Sequence, residues 1–218
     1  MLFYSIKIPQ QKHFKHLNLL EYMEYNKERG GIYLDKELNN LDKFVLDFVS
    51  LLDDYVIVSG YVSILTGRSR ATEDIDLLIP KMSFEGFQEL WKRIENNGFE
   101  CINTSDIEEA FDMLSDHAIR FARKGKGVPN MEFKIISNEV HEYSFNNKIK
   151  LHIRDRHFYI SPLEMQIAYK LYLGSDKDLE DAKHLYELFK EKLDRNKLKS
   201  LVDNFNASEN LELISKNE

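Results

Sequence analysis

The chain has 218 residues, 43% of them hydrophobic and 12% aromatic, and a formal net charge of −7. That is enough apolar material for one large folded domain or two small ones, and the acidic balance argues against a protein that coats nucleic acid non-specifically. A single cysteine, Cys101, excludes an intramolecular disulfide, no Cys/His spacing fits structural zinc, and no apolar run is long enough to cross a bilayer.

In chain order, residues 1–8 read as an edge strand. They lack the basic leader, long apolar stretch and small-residue cleavage site of a signal peptide, so the cytoplasm is the expected compartment. The rest of 1–35, with its Gly30-Gly31 break, receives no role. Leu38, Leu41, Phe44, Val45, Phe48, Val49 and Leu52 predict an amphipathic helix over 36–53. A strand is expected over 55–58 and a short helix over 60–66 that ends at Gly67. A second strand over 74–79 closes at Pro80. Ser83 opens a helix carrying Phe84, Phe87, Leu90, Trp91 and Ile94, and Gly98 ends it. Strands are expected over 99–102, 117–123, 131–136, 148–153 and 157–160, with a turn over 125–130. Ser161, Pro162 and Glu164 predict a capped start to a helix over 162–173, with Ser161 as N-cap and Glu164 closing a capping box. Helices over 177–190 and 194–203 follow, and the polar tail after Asn204 is expected to fray.

Chemistry concentrates in 59–76. Ser59 and Gly60 form a small corner after an apolar strand. Gly60 lets a phosphate approach the backbone, the following helix start offers free N–H groups, and Ser59 adds a hydroxyl. Asp74 and Asp76, at i and i+2 of a strand, share a face roughly 6–7 Å apart. Two like charges so close favour a cation between them. Paired carboxylates beside such a corner suit metal-assisted phosphate chemistry, with Mg²⁺ or Mn²⁺ as the ion. The competing reading is an Asp-rich strand start with both side chains in water.

This segment resembles the polymerase-beta-like nucleotidyltransferases, in particular the small prokaryotic kind related to the abortive-infection toxins. The resemblance rests on the Ser59-Gly60 corner, Gly67, Arg68 and the run Arg70-x-Thr72-x-Asp74-Ile75-Asp76-Leu77. Ser here precedes Gly instead of following it. The resemblance implies a third carboxylate on a later strand, for which Glu132 stands where Asp is commoner. It would share a metal ion and help deprotonate the attacking hydroxyl. A solvent-facing Glu with Lys134 on the same face is the alternative. Ser161 to Glu164, Ala168 to Leu171 and Lys177 to Asp181 resemble a second block of the family. On helix physics alone Lys170 snorkels; the resemblance implies that it neutralises triphosphate charge. Asp178 and Asp181 lie one turn apart, either as charges favourably placed near a helix N-terminus or as a link to Lys177, Lys170 or the substrate, and the Lys177-Asp178 pair matches the block.

The expectation is therefore an α/β (α+β) nucleotidyltransferase fold, a small mixed β-sheet flanked by helices. A catalytic domain spans 1–160 and a helical C-terminal domain 161–218. The implied reaction moves a nucleoside monophosphate from an NTP to a hydroxyl. Asp74, Asp76 and Glu132 bind two metal ions, Ser59, Gly60 and Lys177 hold phosphates, and Arg68 and Arg70 contact phosphate or acceptor, with a brace for the corner as the alternative role of Arg70. Lys170 and Asp178 complete the catalytic set. The acceptor is a tRNA end, a protein or a small molecule, and a cognate antitoxin is a possible partner. A catalytically silent binding protein of the same fold and a metal-dependent phosphohydrolase are the rival readings. The cluster Arg120, Arg123, Lys124 and Lys126 is either a solvated edge or a short RNA track.

Overall fold

The computed structural model describes residues 23–26 and 31–215, so the strand expected over 1–8 lies outside them. In chain order the elements are β1 (Met23–Asn26), β2 (Gly31–Leu34), α1 (Asn40–Val49), β3 (Val56–Ile57), α2 (Gly60–Leu65), β4 (Asp74–Ile79), α3 (Phe84–Asn96), β5 (Phe99–Cys101) and α4 (Ile107–Asp116). Next come β6 (Ile119–Arg123), β7 (Asn130–Ile135), α5 (Glu139–Asn146), β8 (Ile149–Ile153) and β9 (Arg156–Ile160). Four helices close the chain: α6 (Leu163–Leu173), α7 (Asp176–Phe189), α8 (Arg195–Asn204) and α9 (Ser208–Ser215).

The strands form one mixed sheet in the order β1-β2-β8-β9-β3-β4-β7-β6-β5. β4 and β7 run parallel at its centre, with Asp76 opposite Glu132 and Leu78 opposite Lys134. β3 lies antiparallel on the other side of β4. This placement brings the Ser59-Gly60 corner, the Asp-Ile-Asp strand and the Glu132 strand to one region of the sheet. The sheet is larger than expected, because β1 and β2 extend its edge through the parallel pairing of β2 with β8.

A single apolar cluster runs from the sheet into the C-terminal helices, joining Phe48, Phe121 and Phe133 to Ile167, Leu171 and Leu185. Phe48, Phe87, Phe121, Phe133 and Phe158 are fully buried, each contributing about 1.5–3 kcal/mol by leaving water. Trp91 packs edge-on to Phe121 at 5.7 Å and is a core residue.

Several local expectations change. α1 starts at Asn40 because Asn39 caps it, accepting from Asp42 N at 2.9 Å while Asp42 Oδ2 accepts from Asn39 N at 3.1 Å. The capping box expected at α6 is absent. Pro162 is the N-cap, Ser161 donates to the Ser144 hydroxyl at 3.2 Å, and Glu164 Oε1 accepts from Asp194 N at 2.9 Å. α4 and α5 arise where no helix was expected. Each begins at a side-chain cap, Asp106 or Asn138, yet buries only one or two residues, so its apolar stripe is faint in the sequence. The tail after Asn204 folds into α9 instead of fraying, since Ile214 is buried and Asn210 Nδ2 donates to Leu171 O at 2.7 Å.

Candidate active site

The parallel register of β4 and β7 sets Asp74, Asp76 and Leu78 beside Asn130, Glu132 and Lys134 on one sheet face, because lateral neighbours in a sheet point the same way. Lys134 Nζ lies 2.6 Å from Asp76 Oδ1 and 2.5 Å from Glu132 Oε2, bridging the two carboxylates. Arg120, opposite Glu132 on β6, takes the other oxygen, Oε1. Asp74 is half-buried, and the Thr72 hydroxyl donates to its carbonyl at 2.9 Å.

Charge on this face is finely divided. Burial pushes Asp76 up, but hydrogen bonding with Glu132, the charge and hydrogen bond of Lys134 and the Ser59 hydroxyl outweigh it. The carboxyl sits below its ordinary value. Glu132 moves the other way, because burial and the neighbouring Asp76 exceed the pull of Lys134. Of these two neighbouring carboxyl groups Asp76 is thus the more acidic and Glu132 the more readily protonated.

The corner is strained. Ser59 adopts φ 62°, ψ −139°, a region L-residues rarely enter. It is held there by Gln166 Nε2, which donates to Ser59 O at 2.6 Å. Gly60 makes room for Arg70, since a Cβ at this position would collide with Arg70 Nη2 and lie 3.0 Å from Cζ, so that the guanidinium would have to shift. α2 has six residues, and Ser59 makes no side-chain capping bond to it.

A second cluster centres on Asp181, whose side chain is fully buried. Arg70 meets it in a fork, Nε to Oδ1 at 3.1 Å and Nη2 to Oδ2 at 3.0 Å. Arg68 pairs with Asp181 and Glu180 and also donates to Lys177 O at 3.1 Å. Lys170, 2% exposed, reaches Asp181 Oδ2 at 2.7 Å and Asp178 Oδ1 at 3.0 Å. The snorkelling geometry that helix physics favours for Lys170 is therefore wrong, for its ammonium is buried between two carboxylates. Arg68, Arg70 and Lys170 serve Asp181 in this structure, and Lys177 contributes its carbonyl while its side chain is exposed. Burial pushes Asp181 up, yet Lys170, Arg68 and Arg70 together hold its carboxyl below the ordinary value.

Beside the carboxylate face lies a cavity of about 220 Å³ lined by Ser59, Asp76, Lys134, His141, Gln166 and Tyr169, with apolar walls from Val58, Leu78, Val140 and Met165. The volume is below that of a typical drug-sized pocket, so it has room for only part of a nucleotide-sized molecule. The predicted site residues thus fall into two groups: Ser59, Asp74, Asp76 and Glu132 at the corner and on the carboxylate face, of which Ser59 and Asp76 line the cavity, and Arg68, Arg70, Lys170, Lys177 and Asp178 around Asp181. They meet at the corner, where Arg70 covers Gly60. Sequence reasoning missed Lys134 as a bridge, Gln166 as the corner's anchor and His141 on the cavity wall, and it weighted Asp178 over Asp181 as the partner of Lys170, where the structure makes Asp181 the hub. The i, i+3 spacing of Asp178 and Asp181 was the one available signal for the hub.

The basic cluster is partly spent. Arg120 pairs with Glu132, and Arg123 pairs with Asp47 and lies 4.1 Å over the Phe99 ring. Among the described residues no group of three His, Cys, Asp or Glu side chains is gathered closely enough to enclose a metal ion, and no helix is long and apolar enough to cross a membrane.

No protein-family model matches the chain, and no curated protein matches its sequence. Solved structures do. The antibiotic-resistance factor ANT(2")-Ia, in complex with adenylyl-2"-tobramycin, is similar over 78% of this chain and 99% of its own, at 16% identity and TM-score 0.52. A solution structure of the same factor covers 77% and 91% at 15% identity and TM-score 0.50. An antigenic nucleotidyltransferase-like protein from Paracoccidioides brasiliensis covers 80% and 96% at 16% identity and TM-score 0.48. The mixed α/β architecture described above is a nucleotidyltransferase fold.

Proposed function

We propose that the chain is a metal-dependent nucleotidyltransferase that moves a nucleoside monophosphate from an NTP to a hydroxyl acceptor. The observation that carries this reading is the register of Asp76 with Glu132 across β4 and β7, two residues after Asp74 and beside the Ser59-Gly60 corner.

The residues fit a hard divalent cation. Asp74 and Asp76 offer oxygen donors only, the cation already at Asp76 is a side-chain ammonium, and opposite Asp74 the buried Asn130 Oδ1 has no hydrogen-bond partner. Mg²⁺ is commonly held by one or two carboxylates together with substrate phosphates rather than by an all-protein cage. Asp74 and Asp76 would hold Mg²⁺ or Mn²⁺, and the ion would supply charge stabilisation at the phosphoryl oxygens.

The chain's own residues do the rest. The acceptor oxygen bonds to the α-phosphorus, the bond from that phosphorus to the oxygen bridging to the β-phosphate breaks, and pyrophosphate leaves. Glu132, raised by burial, takes the acceptor proton on a carboxylate oxygen. Ser59, set in the cavity wall beside Asp76, donates its hydroxyl to a phosphate oxygen. Lys170, anchored in turn by Asp178, holds Asp181 together with Arg68 and Arg70 and so keeps the corner in place. They position the site rather than touch the nucleotide. The cavity accepts the sugar or base through its apolar wall and Tyr169.

A small-molecule acceptor is supported over nucleic acid, since half of the basic cluster is engaged in ion pairs and ANT(2")-Ia carries adenylyl-2"-tobramycin. A toxin acting on tRNA or protein is the finer alternative within the same chemistry. Incubation with each α-labelled NTP, Mg²⁺ and either lysate or a panel of small alcohols tests the reading. Labelled acceptor plus pyrophosphate supports it; free labelled nucleotide alone means hydrolysis; no metal-dependent nucleotide binding means a silent fold relative.

A further inference from the structure

Lys134 is the least expected member of the site. Its ammonium sits between Asp76 and Glu132, within 2.6 Å and 2.5 Å of their oxygens. Its side chain is about a third exposed, while those of Asp76 and Glu132 are 18% and 11% exposed. A lysine that merely decorated the strand would extend into water; this one turns back onto two partly buried acids beside Ser59 in the cavity wall.

The two oxygens of Glu132 are therefore both engaged, one by Arg120 and one by Lys134. Three carboxylates face two side-chain cations on this patch, which leaves a single negative charge in excess. One divalent ion between Asp74 and Asp76 turns the balance positive, as a triphosphate needs. A second would need an oxygen of Glu132, and so would have to displace Arg120 or Lys134, which hold both of them.

We propose that Lys134 is a resident cation that takes the place of one metal ion, so that the site binds a single divalent ion, at Asp74 and Asp76. Glu132 then stays outside the ion's ligand set, paired to Lys134 and Arg120. This rests on the nucleotidyltransferase reading above, and it replaces the two-ion arrangement that the family resemblance implies.

The test is a count of bound metal. Mn²⁺ retained by the full chain is measured by electron paramagnetic resonance with a saturating α,β-methylene NTP, correcting for Mn²⁺ held by free nucleotide. One Mn²⁺ per bound nucleotide is expected for the wild-type chain and for Lys134→Arg, which keeps the charge. Two are expected for Lys134→Met, which removes it. Two ions in the wild-type chain overturn the proposal while leaving the functional reading intact, and so does a single ion in a folded Lys134→Met. No Mn²⁺ on any of the three proteins overturns both. The wild-type count decides even if a variant fails to fold.

Discussion

Arg70 grips Asp181 through two parallel hydrogen bonds, 3.1 Å from Nε to Oδ1 and 3.0 Å from Nη2 to Oδ2. The pair joins the loop before β4 to α7 across 111 residues of chain, and its guanidinium covers Gly60. Through this contact, together with the Gln166 bond to Ser59 O, the C-terminal helices brace the corner on which the proposed chemistry depends.

Asp181→Ala leaves the buried Lys170 and the partly buried Arg68 and Arg70 without their shared carboxylate. An uncompensated buried charge costs about 3–5 kcal/mol, so this variant unfolds at much lower denaturant. Asp178→Ala, which removes only the more exposed of the two Lys170 partners, costs about 1 kcal/mol or less. Equal urea midpoints for the two variants would sink the hub assignment.

The same hub predicts acid sensitivity. Asp181 has a folded value held below its ordinary one by Lys170, Arg68 and Arg70 despite burial. Its stabilisation is therefore complete above the unfolded value of about 4 and is lost as pH falls through the lower folded value. Melting temperatures between pH 7 and pH 2 should fall more steeply in the wild-type chain than in Asp181→Asn, which has no carboxylate to protonate. Parallel curves contradict the assignment.

Ser59→Gly separates strain from function. Glycine adopts φ 62° without the penalty a serine meets, and after its extra unfolded-state entropy the variant gains about 1 kcal/mol. It also loses the hydroxyl beside Asp76, and a hydrogen bond to a charged group contributes about 1.5–3 kcal/mol. The lost bond to Asp76 offsets the relieved strain, so the expected result is a melting temperature that does not rise, with nucleotide affinity reduced about tenfold or more, read by calorimetry on the same protein. A gain in both overturns the phosphate role of Ser59.

Gly60→Ala drives a methyl group into the space of the Arg70 guanidinium. Overpacking of this kind costs about 1–3 kcal/mol, and because Arg70 must let go of Asp181 the loss should shrink in an Arg70→Ala background. A double-mutant cycle in thermal unfolding measures that coupling, and strict additivity refutes it.

Asp76→Asn removes the carboxylate nearest both Glu132 and the cavity. Loss of several kcal/mol of transition-state charge stabilisation lowers transfer more than about 100-fold, while the circular dichroism spectrum stays that of the wild type. Retained transfer with the expected product would exclude Asp76 from the chemistry.

The sequence by itself determined the elements whose signals are local. The Asp74–Ile79 strand is bounded as its residues predict, Gly174 ends α6 in the left-handed conformation, and Ser83 caps α3. The Asp-Ile-Asp motif was legible for the same reason, because i, i+2 alternation needs no knowledge of the partner strand, whereas Glu132 was singled out only through the family resemblance. Only the tertiary structure decided what those residues face. The β4–β7 register, which no local pattern encodes, places Lys134 against Asp76 and Glu132. Folding α7 against the corner turns Arg68, Arg70 and Lys170 toward Asp181. A charge reads alike on a helix whether it meets water, phosphate or a buried carboxylate, and contacts formed across a hundred residues settle which.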